Sequence, residues 1–435
     1  MIALFKALQI LIVLSVLVIV HELGHFAFAK LFRIRVDKFY LFFDAGGFAL
    51  FRFKPRKSDT EYGIGWLPLG GYCKIAGMID ESMDTGHLKH EPQPWEFRSK
   101  PAWQRLLVMA GGVLFNFIFA IILYAGILAG WGESYIGNDG NSIYVNELAY
   151  DMGFRTGDRI LAFDDYVPEN FGMLQADLAR RSVGKATVLR DGDTLDIYID
   201  RNMIGEVLNS PGMFQLAVPF VIDTVPPSSV NSGRGLAHGD RIVAIAGRPV
   251  EFVQDSRQLL MDHAGSEVPV SVVKGNDTVL TAMQVDTTGR LGVLTQIPGI
   301  KTHRYSVLSA IPAGFRMTFN TIGGYIMDLK LVFTPSTEAY KSVGSFIAMG
   351  QIFPSYWDWY ALLSITALFS IMLGVMNLLP IPALDGGHIV FTLYEMLTRR
   401  KPGDKFLIGA QIVGFILLFG LIILAFGNDI GRLMR

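Results

Sequence analysis

The chain has 435 residues and a formal net charge of −1, with 51% hydrophobic and only 18% charged residues and a mean hydropathy of +0.37. Such apolarity excludes an ordinary soluble globule and points to several membrane spans around a soluble part. The balanced charge leaves no electrostatic footprint for nucleic acid, and the single cysteine, Cys73, excludes both an internal disulfide and a four-cysteine zinc site.

A bilayer core takes about 20 consecutive apolar residues. The first such run, Ala7–Ala29, is interrupted only by His21-Glu22-Leu23-Gly24-His25. Lys6 and Ala27-Phe28-Ala29 also suit a secretory leader, but a His-Glu pair is a poor end for its apolar core. On a helix, residues four apart share a face, so His21 and His25 can offer nitrogens to one cation while Glu22 takes a proton from water. Zinc lowers the pKa of a water molecule from 15.7 to about 7. Ionisable groups at membrane depth cost at least about 2.5 kcal/mol each, which favours a function over a merely satisfied histidine pair.

Residues 39–75 follow, with YLFFDAGGFALFRF and YGIGWLPLGGYCKIAG strand-like and punctuated by glycine. They suit either a surface hairpin or a sheet at membrane depth beside a cavity. The second run, Leu106–Gly130, is strongly polar only at Asn116. Residues 131–300 lose the long apolar runs and carry a repeat, GFRTGDRILAFDD at 153–165 and GLAHGDRIVAIAG at 235–247. That repeat predicts two copies of one small domain, each with a helix and a hairpin. The pattern is similar to PDZ domains, which bind peptides by adding a strand to a sheet edge; spacers are the plainer reading. Residues 305–358 suggest an amphipathic helix on the outer leaflet, or a linker beneath the soluble pair.

The third run, Trp359–Leu384, contains Asn377, Pro380 and Pro382, and the fourth, Phe406–Asn428, offers little beyond Gln411. In NLLPIPALDGGH at 377–388, Asp385 ends the third run on the side where the first run reaches His21, which makes it the candidate third ligand. His388, beyond the bend, is the rival. The amides of Asn116 and Asn377 suit hydrogen bonding to an extended substrate or an oxyanion, or bonding between helices. Thirteen Lys and Arg residues from Lys30 to Arg105, and Arg399, Arg400, Lys401 and Lys405, place those two loops in the cytoplasm and residues 131–358 outside.

HELGH in a first span, LPLGGYCK at 67–74, the step from Gly112 to Asn116 and NLLPIPALDGGH together resemble the site-2 protease family of intramembrane zinc metalloproteases, in its RseP-type branch with tandem PDZ domains. The resemblance implies a polytopic α-helical membrane protein with four transmembrane helices, a membrane-reentrant β-hairpin and two α+β PDZ-like domains. It implies one zinc per chain on His21, His25 and Asp385, with Glu22 as catalytic base. The hairpin edge would hold an unwound substrate, with Gly70, Gly71, Tyr72, Asn116 and Asn377 as substrate-binding residues. Gly112-Val113 departs from the Gly-Pro of many relatives, which should alter helix rigidity more than chemistry. The expected domains are a membrane part at 1–130, PDZ-like domains at 131–212 and 213–300, an amphipathic connector at 301–358 and a membrane part at 359–435. Expected partners are membrane lipid, peptides at the PDZ-like domains, and single-pass membrane substrates such as pre-trimmed anti-sigma factors or remnant signal peptides. The expected place is a bacterial inner membrane, with the active site toward the cytoplasm and the soluble pair in the periplasm. The rivals are a non-catalytic PDZ scaffold and a zinc transporter.

Overall fold

A computed structural model describes residues 2–78 and 90–434; residues 79–89, including Lys89 of the basic loop, lie outside the described residues. The chain divides into two units. One comprises Met1–Gly132, Arg304–Phe333 and Tyr340–Arg435, and the other Glu133–His303 and Thr334–Ala339.

The first unit begins with helix α1 (Ile2–Leu31), apolar on all sides, as a membrane span must be. Its buried residues Val13, Leu17, His21, Gly24, His25 and Ala29 recur every three or four positions, so they form one stripe on the protein side. Helix α2 (Ala102–Trp131) packs on that stripe. A methyl group at Gly24 would lie 2.2 Å from the Gly111 carbonyl oxygen, so the two backbones touch there, as small residues permit.

Between these helices lie β1 (Val36–Phe43), β2 (Ala49–Phe53), β3 (Glu61–Gly65) and β4 (Leu67–Ile75), in sheet order β2-β3-β1-β4. β1 runs parallel to β3 and antiparallel to β4. The expected hairpin is therefore a four-stranded mixed sheet. Gly46 and Gly47, at φ 72° and 77°, turn the chain out of β1. The Thr60 hydroxyl then donates to the Val36 carbonyl at 2.8 Å, bringing β3 in beside β1. β4 is left as an outer strand against α1; at Gly71 a methyl would meet the Tyr40 carbonyl oxygen and Val18, each at 2.6 Å.

In the second unit each of the two repeated stretches leads into a set of strands and a helix. Strand β5 (Arg159–Phe163), helix α3 (Leu174–Arg180) and strands β6 (Lys185–Arg190) and β7 (Asp193–Tyr198) form one copy, with sheet order β5-β6-β7. The second copy has β8 (Arg241–Ile245), β9 (Arg248–Pro249), α4 (Val253–Asp262), β10 (Glu267–Lys274) and β11 (Asp277–Gln284), in order β9-β8-β10-β11. The Gly-Asp step does the same work in both copies. The Asp158 carboxylate accepts from the Arg155 backbone N–H, and Asp240 from that of Ala237, each at 2.8 Å. Each carboxylate also meets a cation of the next strand, Arg190 at 2.7 Å or Lys274 at 3.4 Å. Strand Glu133–Ile136 pairs with Ile300–His303 and closes the unit.

The first unit resumes with α5 (Val307–Val332), capped by Ser306. Its small residues Ala310, Ala313, Gly314 and Thr318 are buried, while Leu308, Ile311, Phe315 and Phe319 are exposed. A methyl at Gly314 would lie 2.6 Å from the Ala125 backbone nitrogen, so this connector packs along α2. Short helix α6 (Phe346–Ile352) is tied to the last helix by Asp429, which accepts from Ser345 N–H, Ser345 Oγ–H and Ala348 N–H at 2.8, 2.6 and 3.1 Å. Helix α7 (Trp359–Leu378) ends earlier than Leu384, because Pro380 and Pro382 cannot continue it. Asp385 thus opens a separate helix, α8 (Asp385–Thr398), before α9 (Asp404–Leu433). Among the described residues, four helices are long and apolar enough to cross a membrane: α1, α2, α7 and residues 405–432 of α9.

Candidate metal centre

His21 and His25 stand one turn apart on the buried stripe of α1. Their Nε2 atoms are 3.2 Å apart. The loop from Leu379 to Leu384 folds back on the start of α8; methyls at Gly386 and Gly387 would meet its Leu379 and Ile381 carbonyl oxygens at 2.1 and 2.7 Å. Ala383 takes φ 99° there, a region L residues rarely adopt, so packing holds the loop in a strained form. Part of that packing comes from α9, where a methyl at Gly414 would overlap the Pro382 carbonyl.

The folded-back loop aims Asp385 at both histidines. Its Oδ2 lies 3.2 Å from His21 Nε2 and 3.3 Å from His25 Nε2. The same oxygen is buried and makes no hydrogen bond. His25 Nδ1 donates to the Val108 carbonyl at 2.8 Å, so its Nε2 carries a lone pair toward the carboxylate. Two acceptors, His25 Nε2 and Asp385 Oδ2, converging on His21 Nε2 in a buried place favour a shared proton or a cation between them. Two imidazole nitrogens and one carboxylate oxygen are also the donor set of a catalytic zinc site with one position left open. These three residues fit a zinc ion. Among the described residues they are the one cluster of His, Cys, Asp and Glu side chains that could hold a metal, with ligand atoms all within 4.8 Å.

The centre opens on a cavity of about 840 Å³. Glu22 lines it beside the histidines, as do Gly70, Gly71, Tyr72 and Cys73 of β4, Asn377 of α7 and Asp385. β4 therefore forms part of the wall around the metal cluster. Tyr72 is held by a 2.6 Å bond from its hydroxyl to Asp44, which also takes a 2.6 Å bond from Lys38. The Asn377 amide nitrogen lies 3.4 Å from His21 Nε2. His388 lines the cavity from α8 but stands outside the ligand cluster.

Asn116 lies elsewhere than the sequence suggested. It is wholly buried, it is absent from the cavity wall, and its amide nitrogen sits 3.1 Å from His21 Nδ1. A group behind a ligand cannot touch substrate, so the substrate-binding assignment of Asn116 is withdrawn. Sequence reading also missed Gly112, whose added methyl would lie 2.5 Å from His21 Cε1 and 2.6 Å from His25 Nε2. The step from Gly112 to Asn116 was visible as a motif, but not its direction.

Peptidase family M50 matches residues 9–421 of the chain. A Rickettsia conorii protein named "Putative zinc metalloprotease" is 27% identical, over 97% of this chain and 98% of its own. The regulator of sigma-E protease RseP of Escherichia coli is 28% identical, over 97% of this chain and 98% of its own. A Thermotoga maritima protein, also named "Putative zinc metalloprotease", is 24% identical over 98% of each chain. The chain belongs to peptidase family M50, the site-2 protease family, and is a metalloprotease.

Proposed function

We propose that this protein is a zinc-dependent endopeptidase that cuts the membrane-spanning segments of single-pass proteins. One observation carries the reading: two histidines of an apolar span meet an aspartate from a distant loop at 3.2 and 3.3 Å, beside a glutamate in a cavity. Held by His21, His25 and Asp385, one zinc per chain would supply Lewis acidity to polarise the scissile carbonyl and activate water. Glu22 removes a proton from the attacking water and returns it to the leaving amine, so that the elements of water add across the C–N bond. A helical peptide bond is shielded from attack. The open side of β4, with Gly70, Gly71 and Tyr72, holds the substrate extended by main-chain hydrogen bonds, and Asn377 orients it from the other wall.

The large exposure of Phe48, Leu50, Phe51 and Phe53 supports a sheet that dips into lipid, since such a patch is unsuited to water. The basic loops support an active site toward the cytoplasm of a bacterial inner membrane, with the two repeated domains in the periplasm. Those domains are PDZ-like modules that admit only substrates already trimmed outside, such as an anti-sigma factor or a remnant signal peptide. The test is reconstitution with a single-pass substrate and mass spectrometry of the products. A cut inside the apolar segment, abolished by Glu22→Gln, is expected. Cleavage only outside that segment, or cleavage that survives Glu22→Gln, overturns the reading.

A further inference from the structure

Asn116 is a buried amide with one half unexplained. Its Nδ2 lies 3.1 Å from His21 Nδ1, while its Oδ1 is buried without a hydrogen-bond partner. A buried acceptor without a partner is unfavourable. A neutral imidazole carries one proton, on one nitrogen or the other. With Nδ2 donating to Nδ1, that proton sits on Nε2 and points into the cluster formed with His25 Nε2 and Asp385 Oδ2, at 3.2 Å from each. A cation in that cluster needs the His21 Nε2 lone pair. The proton must then move to Nδ1, where it needs an acceptor. A half-turn of the Asn116 amide about its last bond brings Oδ1 to the place of Nδ2 and supplies that acceptor.

We propose that Asn116 is the positioning residue of His21: its Oδ1 accepts from Nδ1–H when metal is bound and thereby fixes the tautomer and ring orientation in which Nε2 is a ligand. It does for His21 what the Val108 carbonyl, at 2.8 Å from Nδ1, does for His25. The two histidines thus have different supports, a fixed backbone carbonyl and an amide that can turn. Asn116 is itself anchored, because the buried Ser370 Oγ–H of α7 donates to its backbone carbonyl at 2.8 Å. This inference rests on the metal reading above.

The test measures zinc affinity of the full-length protein by competition with a chromophoric chelator, without recourse to activity. Asn116→Leu keeps the approximate shape and removes the acceptor; zinc binding should weaken about 10- to 100-fold, the usual effect of deleting such a support. Asn116→Asp keeps an acceptor and cannot donate; it should bind within a few-fold of the unaltered protein. If Asn116 only joined helices, a buried carboxylate would harm more than leucine and the order would invert. Leucine binding zinc as tightly as asparagine, or aspartate binding more weakly than leucine, overturns the proposal. Should the leucine variant fail to fold, the aspartate variant decides alone: a loss of tenfold or more overturns the proposal, and retention supports it. Selective ¹⁵N labelling of histidine gives a second readout, with the His21 proton expected on Nδ1 in the zinc-loaded protein and overturning the proposal if found on Nε2. If the unaltered protein binds no zinc, the metal reading falls first and this inference with it.

Discussion

Gly112→Ala adds one methyl group at the back of the metal cluster. The new carbon would lie 2.5 Å from His21 Cε1 and 2.6 Å from His25 Nε2, where ordinary contact begins at 3.4 Å. One of the three groups must therefore give way by about 0.9 Å at His21 and 0.8 Å at His25. Neither ring has slack, because His25 is tied to Val108 and α1 and α2 are in backbone contact at Gly24 and Gly111. Metal sites tolerate ligand displacements of about 0.2 Å, so the shift exceeds tolerance several-fold. Overpacking of this kind costs about 1–3 kcal/mol; felt in the bound state, it weakens zinc about 5- to 150-fold, at 1.4 kcal/mol per decade. Gly126→Ala, on the same helix with nothing within 4 Å, is the control and should leave affinity unchanged. Chelator competition on both purified variants, with helix content checked by circular dichroism, measures the difference. A folded Gly112→Ala protein that binds zinc like the control would refute the reasoning.

Glu22→Gln should retain zinc, because Glu22 is outside the ligand cluster, and should lose about 10²- to 10⁴-fold in hydrolysis; metal analysis and a cleavage assay check the two halves. Deleting residues 134–302 joins Glu133 to His303, which are register partners, and should leave zinc binding intact while admitting substrates with untrimmed outer domains. A folded, zinc-bound deletion protein that cuts neither trimmed nor intact substrate would show instead that the removed unit helps build the site. Burial raises the Asp177 carboxyl above its usual range, against the opposing hydrogen bond from Tyr166. A group whose folded pKa is raised favours the folded state when protonated, so its ionisation costs stability as pH rises through that value. Asp177→Asn should accordingly raise the melting temperature of the second unit at pH 7, and the gain should shrink on acidification; a gain constant with pH would contradict this.

The parts of the site most legible in the sequence were those fixed by local geometry. HELGH on a helix puts His21 and His25 on one face whatever the rest of the chain does, and Pro380 and Pro382 announced that the third span must break before Asp385. The Gly-Asp repeat was likewise readable, since Asp158 and Asp240 bond to N–H groups three residues back. What could not be read depends on long-range register. The parallel pairing of β1 with β3 leaves no local trace, because the same alternating residues serve a hairpin equally well. The direction of the Asn116 side chain follows from the rotation of α2, which is set where Gly111 meets Gly24. For the same reason the connector was legible as an amphipathic helix, expected on the outer leaflet or beneath the soluble pair, whereas the packing of α5 along α2 at Ala125 was not.

The claim that His21, His25 and Asp385 form a zinc site is tested most directly by zinc-edge X-ray absorption on the purified protein. Near-stoichiometric zinc is expected, with a first shell of nitrogen and oxygen at about 2.0–2.2 Å and an imidazole signature that weakens in His25→Ala. A sulfur contribution at about 2.3 Å, as Cys73 of the cavity wall would give, or a spectrum unchanged in His25→Ala, would contradict it.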